Sequence, residues 1–470
     1  MGNYFSLGNT KRVHFIGIGG ISMSGLAETL YRNGYAVSGS DKTVTHTTEH
    51  LRKVGINVII GRGAQNISSD IDLVVYTAAI KPDDPELSAA RSLNIPTMVR
   101  AELLGAILKS YEYAICVAGT HGKTSTTALI AEIALAAGLD PTVNIGGYIG
   151  DTNYYIGSSP YFILEACEYS NSFHHWRPYI GVILNIDADH MDFYGSMDAI
   201  IKSFAIFAQN ISPSGTLVIQ EGVPGFDKIT AGLKCKIVTF NTDAHTYVNT
   251  GKVPDSRYRI RNITFNNNGT PSFDIIQGSK VQANVKFPLP GRYNMHNALA
   301  AFVVAHELGV RPYTIAGALA KTQGVKRRYQ YKGLFNGAVI IDDYAHHPTE
   351  IKECLAAARE SNPDRIICLF QPHTYTRTRD LFDDFIHSFG QADIMVFVPI
   401  YAAREPYDPS ISASMLAKQV AGLKDKNNVI NCENLEEAEA WLRGKLVPGD
   451  LLITMGAGDV YFVGERLLAR

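Results

Sequence analysis

The chain has 470 residues, 46% of them hydrophobic, so it can build more than one packed core, and its length favours about three domains. Its 43 basic residues nearly balance its 45 acidic ones, which argues against nucleic acid or an anionic membrane as a partner. Any anionic ligand must therefore be held by a local site.

The cysteines and the apolar segments indicate the cellular compartment in which the protein is found. Six cysteines occur without CxxC spacing, several of them in apolar runs, which predicts reduced and buried thiols. No segment approaches the roughly 18 consecutive apolar residues of a membrane helix, and the N-terminus lacks the apolar core of a signal peptide. We expect a cytoplasmic protein with no membrane partner.

The first six residues, MGNYFS, satisfy the loose rule for N-myristoylation, with Gly2 exposed after removal of Met1. An unstructured leader is the simpler interpretation, because no polybasic cluster nearby supplies the second signal that stable anchoring requires. We therefore expect a leader without a membrane function.

The N-terminal segment has the pattern of a Rossmann-like domain. An apolar run over residues 13–18 leads into GIGG at 17–20, and an amphipathic helix follows from about Ser22 to Asn33 and Gly34. Further strands are predicted at residues 36–39, which end at Ser40 and Asp41, and at residues 57–60 and 73–77. We place the end of this domain near Ser110.

The second segment contains the most specific motif of the chain, GTHGKT at residues 119–124. A strand at 113–118 precedes it and a helix rich in alanine follows it as far as Gly138, the order that aims backbone N–H groups and a helix N-terminus at a phosphate. Lys123 would contact the β- and γ-phosphates, and the Thr124 hydroxyl would bind magnesium. The full Walker pattern requires glycine where the chain has Val117, which weakens the match without removing the amides.

Two clusters of acidic residues follow predicted strands in the same segment. The strand at 161–164 ends in EACE, with Glu165 and Glu168, and the run at 179–186 is followed by the acids of DADHMD and by His190. Because ligands bind at the carboxyl ends of parallel strands, and carboxylates suit magnesium, we expect a metal site there.

The remaining patterns are β-like and then α/β. From about residue 213 to 290, short apolar pieces with turn signals such as NNG at 267–269 predict an excursion of antiparallel strands. Beyond it, strands at 338–341, 365–370, 394–398 and 451–455 alternate with helical patterns such as 351–360, which indicates another parallel α/β domain.

The opening motif also admits another interpretation. GIGG followed by Asp41 is similar to the dinucleotide fingerprint of NAD-dependent oxidoreductases. The third glycine of that fingerprint would fall at Ser22, and an oxidoreductase leaves GTHGKT unexplained.

Several long motifs, in order and nearly end to end, resemble those of the Mur ligase family. They are VHFIGIGGISMSGLA, GTHGKT, NIDADHMD, GRYNMHNALAA, GVKRR, DDYAHHPTE and QPHTYTRTR. The resemblance implies an α/β fold of three domains, each a largely parallel sheet with helices. It assigns residues 1–110 to a Rossmann-like UDP-sugar-binding domain, 111–325 to a P-loop-like central ATP-binding domain and 326–470 to a Rossmann-like C-terminal domain.

The resemblance also implies roles for individual residues. Those near the UDP-sugar are Gly17, Gly19, Gly20, Ser40, Asp41, Thr77 and Arg100. Those that bind ATP are Gly119, Thr120, His121, Gly122, Lys123, Thr124, Ser125, Asn294, Asn297, Arg327 and Asp343, and those that bind the metal are Thr124, Glu165 and His190. The acceptor site would contain Tyr344, and the catalytic set is Lys123, His190, Arg327, His346, His373, Arg377 and Arg379.

The activity that the resemblance implies is ATP-dependent ligation of L-alanine to the lactyl carboxylate of UDP-N-acetylmuramate, through an acyl phosphate, in peptidoglycan synthesis. ATP and Mg²⁺ are the expected cofactors, with Mn²⁺ as an alternative ion, and the partners are these small molecules. We expect a monomer or homodimer whose domains close during catalysis.

Three questions stay open within this interpretation. The base that deprotonates the amine is His346, His347 or His373, although His347 precedes Pro348 and suits a helix start. A ligase for a murein tripeptide and a pseudoenzyme are the rival functions. Tyr293 and Cys167 stand where the family often has histidine and aspartate.

Overall fold

The computed structural model describes residues 7–77, 79–149, 152–242, 258–266, 268–423 and 425–469, so the MGNYFS start lies outside the described residues. The chain divides into two compact units. Residues 7–241, Tyr258 and Ala300–Ile315 form the first unit, and Thr242, Arg259–Leu299 and the chain from Ala316 onward form the second. The fold has three largely parallel sheets with helices, as the sequence predicts.

The N-terminal sheet of the first unit has the strand order β3-β2-β1-β4-β5, and all its pairings are parallel. Its elements are β1 (Arg12–Ile16), α1 (Ile21–Arg32), β2 (Ala36–Asp41), α2 (His46–Val54), β3 (Asn57–Ile60), β4 (Leu73–Tyr76), α3 (Pro85–Ser92), β5 (Thr97–Val99) and α4 (Arg100–Leu108). The predicted strands and the helix after GIGG are confirmed to within a few residues. Local signals set such ends: Thr45 caps α2, and Gly55 ends it in a left-handed conformation.

The central sheet follows in the first unit, in the order β12-β11-β10-β6-β9-β7-β8. Its elements are β6 (Tyr113–Ala118), α5 (Lys123–Ala136), β7 (Thr142–Ile149), β8 (Thr152–Tyr155), β9 (Tyr161–Glu165), β10 (Ile180–Ile183), α6 (Met191–Tyr194), α7 (Met197–Gln209), β11 (Thr216–Gln220), α8 (Phe226–Thr230) and β12 (Lys236–Thr242). Only β8 is antiparallel to its neighbour among these strands.

The prediction of antiparallel strands over residues 213–290 is wrong for its first part. The strands β11 and β12 pair in parallel, because the helix α8 lies between them and carries the chain back to the other end of the sheet. The antiparallel part comes later, in β13 (Tyr258–Phe265), β14 (Pro271–Gln277) and β15 (Lys280–Lys286), where β14 and β15 form a hairpin.

The second unit contains a six-stranded sheet in the order β16-β17-β21-β18-β19-β20, parallel except for the edge strand β16. The elements from the hairpin onward are α9 (Arg292–Glu307), α10 (Pro312–Leu319), β16 (Gln330–Phe335), β17 (Ala338–Asp343), α11 (Pro348–Glu360), β18 (Arg365–Phe370), α12 (Tyr375–Asp380), α13 (Phe382–Ile386), β19 (Ile394–Phe397), α14 (Ala413–Leu423), β20 (Val429–Asn431), α15 (Leu435–Lys445), β21 (Asp450–Met455) and α16 (Tyr461–Leu468). The predicted α/β pattern of this region is confirmed.

Apolar side chains fill continuous cores beneath these sheets. In the first unit one core joins the N-terminal and central sheets, and Trp176 is buried in it with its indole N–H donating to the Ala101 carbonyl at 3.1 Å. None of the six cysteines, all of which lie in the described residues, forms a disulfide, and five are buried, as predicted. Among the described residues, no helix is long and apolar enough to cross a membrane.

Candidate active site

The phosphate loop joins β6 to α5 at the carboxyl edge of the central sheet. Gly119 and Gly122 have φ values of 141° and 82°, a region that side chains with a Cβ rarely adopt. No side chain caps α5, and no described residue accepts a hydrogen bond from the N–H groups of Gly122, Lys123 or Thr124. The loop therefore leaves donors free for an anion, with Ser125 next to them in the first turn.

A single asparagine fastens the loop from the neighbouring strand. Asn185, just after β10, accepts a hydrogen bond from the His121 N–H at 2.8 Å and donates one to the His121 carbonyl at 3.0 Å. The Thr120 hydroxyl accepts from the Asp187 N–H at 2.9 Å. The sequence analysis missed Asn185, although its position at the end of a strand beside the loop was visible.

Lys123 is anchored inward by a buried carboxylate. Its Nζ donates to the carbonyls of Gly119 and Thr120 at 2.6 and 3.0 Å, and to Glu168 at 3.0 Å. Burial lowers the pKa of Lys123, but the neighbouring Glu168 charge outweighs it and the net pKa is raised. The lysine is thus a fixed cation at the phosphate loop.

Hard oxygen donors meet beside the loop. The Thr124 hydroxyl donates to Glu165 at 2.8 Å, and the Gly146 N–H donates to the same carboxylate oxygen at 2.9 Å. A hydroxyl and a carboxylate are donors that suit Mg²⁺, so these residues fit the expected ion. His190 lies after β10 with φ 55°, and its ring packs on Tyr169 at 4.8 Å between centroids.

Arg100 lies near residues of both the N-terminal and the central sheet regions of the first unit. Its guanidinium donates to the Ser22 hydroxyl at 2.7 Å, in the first turn of α1. Burial lowers the pKa of Arg100, and the charges of Cys167 and Glu165 oppose that shift, which places the arginine close to Glu165. Burial also raises the pKa of Cys167 to about 11, so this thiol stays protonated at neutral pH.

Three N–H groups of the first glycine loop donate to acceptors at the end of the neighbouring strand β2. The N–H groups of Gly17 and Ile18 donate to the Ser40 carbonyl at 2.8 and 2.9 Å, and the Gly19 N–H donates to Asp41 at 2.8 Å. A Cβ at Gly19 would lie 2.7 Å from Thr48 and 2.8 Å from Asp41, so glycine is required by packing. Gly20 follows as the residue before α1, which has no side-chain cap.

Ser40 and Asp41 support this loop. The sequence predicts both near the UDP-sugar, but Ser40 is completely buried and its hydroxyl donates to the equally buried Glu86 at 2.6 Å. Because Asp41 binds its own loop, the fingerprint of a dinucleotide site loses the carboxylate that would bind a ribose. Thr77 accepts a hydrogen bond from the Ile80 N–H at 3.0 Å, which shapes the turn after β4.

In the second unit, Arg327 is held by three kinds of contact. Its backbone has φ 63°, its Nε lies 3.3 Å from Asp342, and its Nη2 donates to the Gly456 carbonyl at 2.6 Å. The rings of Tyr344 and Tyr461 lie 4.9 and 4.4 Å from the guanidinium carbon. This arginine is therefore rigid before any ligand binds.

The residues predicted to contact the nucleotide in this unit are mostly buried. Both oxygens of Asp343 accept backbone hydrogen bonds, from Tyr329 at 2.6 Å and Ala345 at 2.7 Å. Burial raises the pKa of Asp343 to about 6. Asn294 donates to the Pro290 carbonyl at 2.8 Å, and Asn297 is also buried on α9. A ribose contact by Asp343 stays a prediction.

The structure brings four of the predicted acceptor residues together: Tyr344, His346, His373 and Arg377. The rings of His346 and His373 are 5.8 Å apart, and the ring of His346 lies 5.4 Å from that of Tyr344. Arg377 lies 3.3 Å from His373 Nδ1. Burial lowers the pKa of His346 to about 3 and that of His373 to about 4, so both rings are neutral at pH 7.

The contacts of Arg379 and His347 distinguish these two candidates from the residues of the cluster. Arg379 is about half exposed and pairs with Asp408 at 2.7 Å, so it is less available than Arg377 to a substrate carboxylate. His347 caps α11 by accepting from the Thr349 N–H at 3.2 Å, as its position before a proline suggests. Tyr401, which the sequence analysis missed, stacks on His373 at 5.8 Å.

Comparisons with known proteins agree over almost the whole chain. Sequence models described as the Mur ligase family catalytic domain, the Mur ligase middle domain and the Mur ligase glutamate ligase domain match residues 12–112, 117–305 and 327–458. The chain is 46% identical to the UDP-N-acetylmuramate–L-alanine ligase of Clostridium novyi, over 98% of each chain.

Solved structures show the same fold. The UDP-N-acetylmuramate–alanine ligase of Thermotoga maritima is 28% identical with a TM-score of 0.79, over 97% of this chain and 98% of that one. The murein peptide ligase of Psychrobacter arcticus has a TM-score of 0.69 over the same shares, but at 22% identity it shows the fold alone. The chain belongs to the Mur ligase family.

Proposed function

We propose that the protein joins L-alanine to the lactyl carboxylate of UDP-N-acetylmuramate, with ATP converted to ADP and phosphate, in peptidoglycan synthesis. The observation that carries this proposal is the 46% identity, over 98% of both chains, to a relative with that activity in its name. The geometry within the phosphate loop and that within the acceptor cluster each support it chemically.

The first half of the reaction activates the carboxylate. A carboxylate is a poor electrophile, so the γ-phosphoryl group of ATP is transferred to one of its oxygens, which gives an acyl phosphate and ADP. Negative charge gathers around the transferred group, and Lys123 and Arg327 stabilise it as cations fixed in advance. Thr124, Glu165 and His190 would hold Mg²⁺, which when bound neutralises phosphate charge.

The second half forms the amide. The amine of L-alanine attacks the acyl carbon, the bond to the phosphate oxygen breaks, and inorganic phosphate leaves. Arg377 suits the alanine carboxylate because a guanidinium binds it with two parallel hydrogen bonds. His346 and His373 are neutral but weak bases, so we assign them to orienting the amine, while the leaving phosphate takes up its proton.

Phosphate release by the full chain tests this proposal. ATP is supplied with UDP-N-acetylmuramate, and L-alanine, L-serine, glycine or the murein tripeptide is added in turn. We expect release only when the UDP-sugar and an amino acid are both present, and fastest with L-alanine. Release driven by the tripeptide in preference to L-alanine would instead favour the recycling ligase, and release from ATP alone would contradict the proposed coupling.

A further inference from the structure

A second cleft opens on the first unit, at the edge of the central sheet opposite the phosphate loop. Its volume is about 770 Å³, within the range of small-molecule sites. The lining segments are those that lead into the amino ends of β6, β10, β11 and β12. The phosphate loop follows the carboxyl end of β6, so the cleft is distinct from the site described above.

The charge of the lining is predominantly positive. Lys109, Arg177 and Lys234 line the cleft with a single acid, Glu112. All three cations are exposed, and none of them takes part in a salt bridge within the described residues. The hydroxyls of Ser212 and Ser214, 3.0 Å apart, lie in the same lining. Three unpaired cations with hydroxyls beside them suit a phosphate group on a small polar molecule.

A chain of hydrogen bonds starts at this cleft and runs into the unit. The Arg177 guanidinium donates to the side-chain oxygen of Asn210. Asn210 in turn donates to the His174 carbonyl at 2.9 Å. The His174 Nε2 lies 2.9 Å from the hydroxyl of Ser203, a residue that is only 4% exposed. The cleft is thus connected to a buried polar cluster.

The same cluster reaches the phosphate loop. The Ser203 hydroxyl donates to the side-chain oxygen of Asn171 at 2.6 Å, and the Asn171 N–H donates to the Glu168 carbonyl at 2.9 Å. Tyr194 donates to the Glu168 carbonyl at 2.5 Å, and the Glu168 carboxylate holds Lys123 at 3.0 Å. Each link between Arg177 and the phosphate-binding lysine is therefore a direct contact.

The segment between these links is strained. Ser170 and Asn171 both have φ 55°, a left-handed conformation that non-glycine residues adopt infrequently. Asn171 is held there because its side-chain oxygen accepts from the Ser203 hydroxyl at 2.6 Å. Loosening this contact would release the segment that carries Glu168.

We propose that the amino-edge cleft is a regulatory site for a phosphorylated small molecule, and that its occupation is transmitted along this hydrogen-bond chain to Lys123. An anion in the cleft draws Arg177 away from Asn210 and relaxes the segment that carries Glu168. Lys123 then exchanges Glu168 for a nucleotide phosphate more readily, so occupation of the cleft tightens ATP binding.

Titration calorimetry on the full chain tests this inference, with D-glucose 6-phosphate as the probe and D-glucose as the uncharged control. We expect the phosphorylated probe to bind, and its presence to lower the Kd for ATP by about fivefold, a typical coupling between two sites. Because coupling is reciprocal, saturating ATP should tighten probe binding by the same factor.

Variants of the cleft and of the hydrogen-bond chain test separately whether the probe binds and whether its binding changes the affinity for ATP. The double variant Arg177→Gln and Lys234→Gln should lose probe binding by at least about tenfold, whereas Lys11→Gln with Lys53→Gln, an equal charge change at exposed positions outside the cleft, should bind the probe normally. Tyr194→Phe keeps the ring but removes the link to Glu168, so it should bind the probe normally and lose the fivefold effect on ATP.

Three results would overturn the inference: no probe binding, equal binding by the cleft double variant, or an unchanged effect on ATP in Tyr194→Phe. The inference rests on the proposed function only because the phosphate loop must bind ATP. A chain that fails to bind ATP contradicts the proposed function, whereas a chain that binds ATP without responding to the probe contradicts this inference alone.

Discussion

The two glycine loops of the first unit look alike in sequence and differ in use. Each follows the carboxyl end of a parallel strand and leads into a helix without a side-chain cap. The loops differ at the residue just before the helix: the Gly20 N–H donates to the Gly17 carbonyl at 3.2 Å, whereas the Gly122 N–H has no acceptor among the described residues. The next N–H groups, those of Ile21 and Ser22 in α1 and of Lys123 and Thr124 in α5, are alike in having no acceptor within the described part of the chain.

Glycine is required in each of the two loops, but for a different reason. Gly19 is required because Thr48 and Asp41 leave no space for a Cβ. Gly122 is required because φ is 82° where the loop turns its amides outward. We infer that the second loop binds phosphate directly, whereas the first loop shapes the start of α1, where Arg100 meets Ser22.

The largest effect is expected from Lys123→Ala. Removing the fixed cation of the second loop should lower kcat for phosphate release by about a thousandfold, the upper range for losing one stabilising donor. The loss should appear in kcat more than in the KM for the UDP-sugar. Lys53→Ala, on the exposed face of α2, is the control and should be unaffected; an active Lys123→Ala enzyme would remove the phosphate loop from the mechanism.

Thr124→Val should have the next largest effect. The substitution keeps the shape but removes the hydroxyl beside Glu165, so activity should fall about a hundredfold, and more Mg²⁺ should be needed for half-maximal rate. Thr124→Ser retains the hydroxyl and should recover most activity in the same magnesium titration. If Thr124→Val showed an unchanged magnesium requirement, this residue would not be a metal ligand.

Gly19→Ala probes packing in the first loop. Its Cβ would collide with Thr48 and Asp41, so the free energy of unfolding should fall by about 1–3 kcal/mol and the KM for the UDP-sugar should rise about tenfold. The KM for ATP should not change. Gly20→Ala is the matched variant, because its Cβ would meet no atom closer than 3.4 Å, and it should unfold like the wild type in urea.

The smallest effect is expected from Ser40→Ala. Loss of its hydrogen bond to the buried Glu86 should reduce stability by about 1 kcal/mol with both KM values unchanged, since Ser40 is completely buried. Urea unfolding and steady-state kinetics measure the two quantities. A raised KM for the UDP-sugar, without loss of stability, would show instead that Ser40 contacts the ligand.

The elements around both loops are predictable from sequence because their signals are local. Strand, glycine loop and helix follow one another within about 25 residues, and a proline after His347 marks the start of α11. The same local reasoning failed after residue 213, where turn signals suggested antiparallel strands, because the short helix α8 decides between parallel and antiparallel pairing.

The supporting contacts are not predictable in this way. Asn185 meets His121 across 64 positions, and Glu86 meets Ser40 across 46. Such pairs depend on which strands become neighbours, which no short pattern encodes. The sequence therefore identifies Lys123 and Thr124 by type and spacing, but it cannot tell that the Ser40 hydroxyl is turned toward Glu86 and the Asp41 carboxylate toward its own loop.

We infer that the second loop directs phosphoryl transfer to the lactyl carboxylate, and oxygen labelling tests this inference directly. UDP-N-acetylmuramate labelled with ¹⁸O in that carboxylate is incubated with the full chain, ATP and L-alanine, and the released phosphate is analysed by mass spectrometry. We expect one ¹⁸O atom in each phosphate released, and release about a thousandfold slower by Lys123→Ala. Unlabelled phosphate, formed while the amide product accumulates, would contradict it.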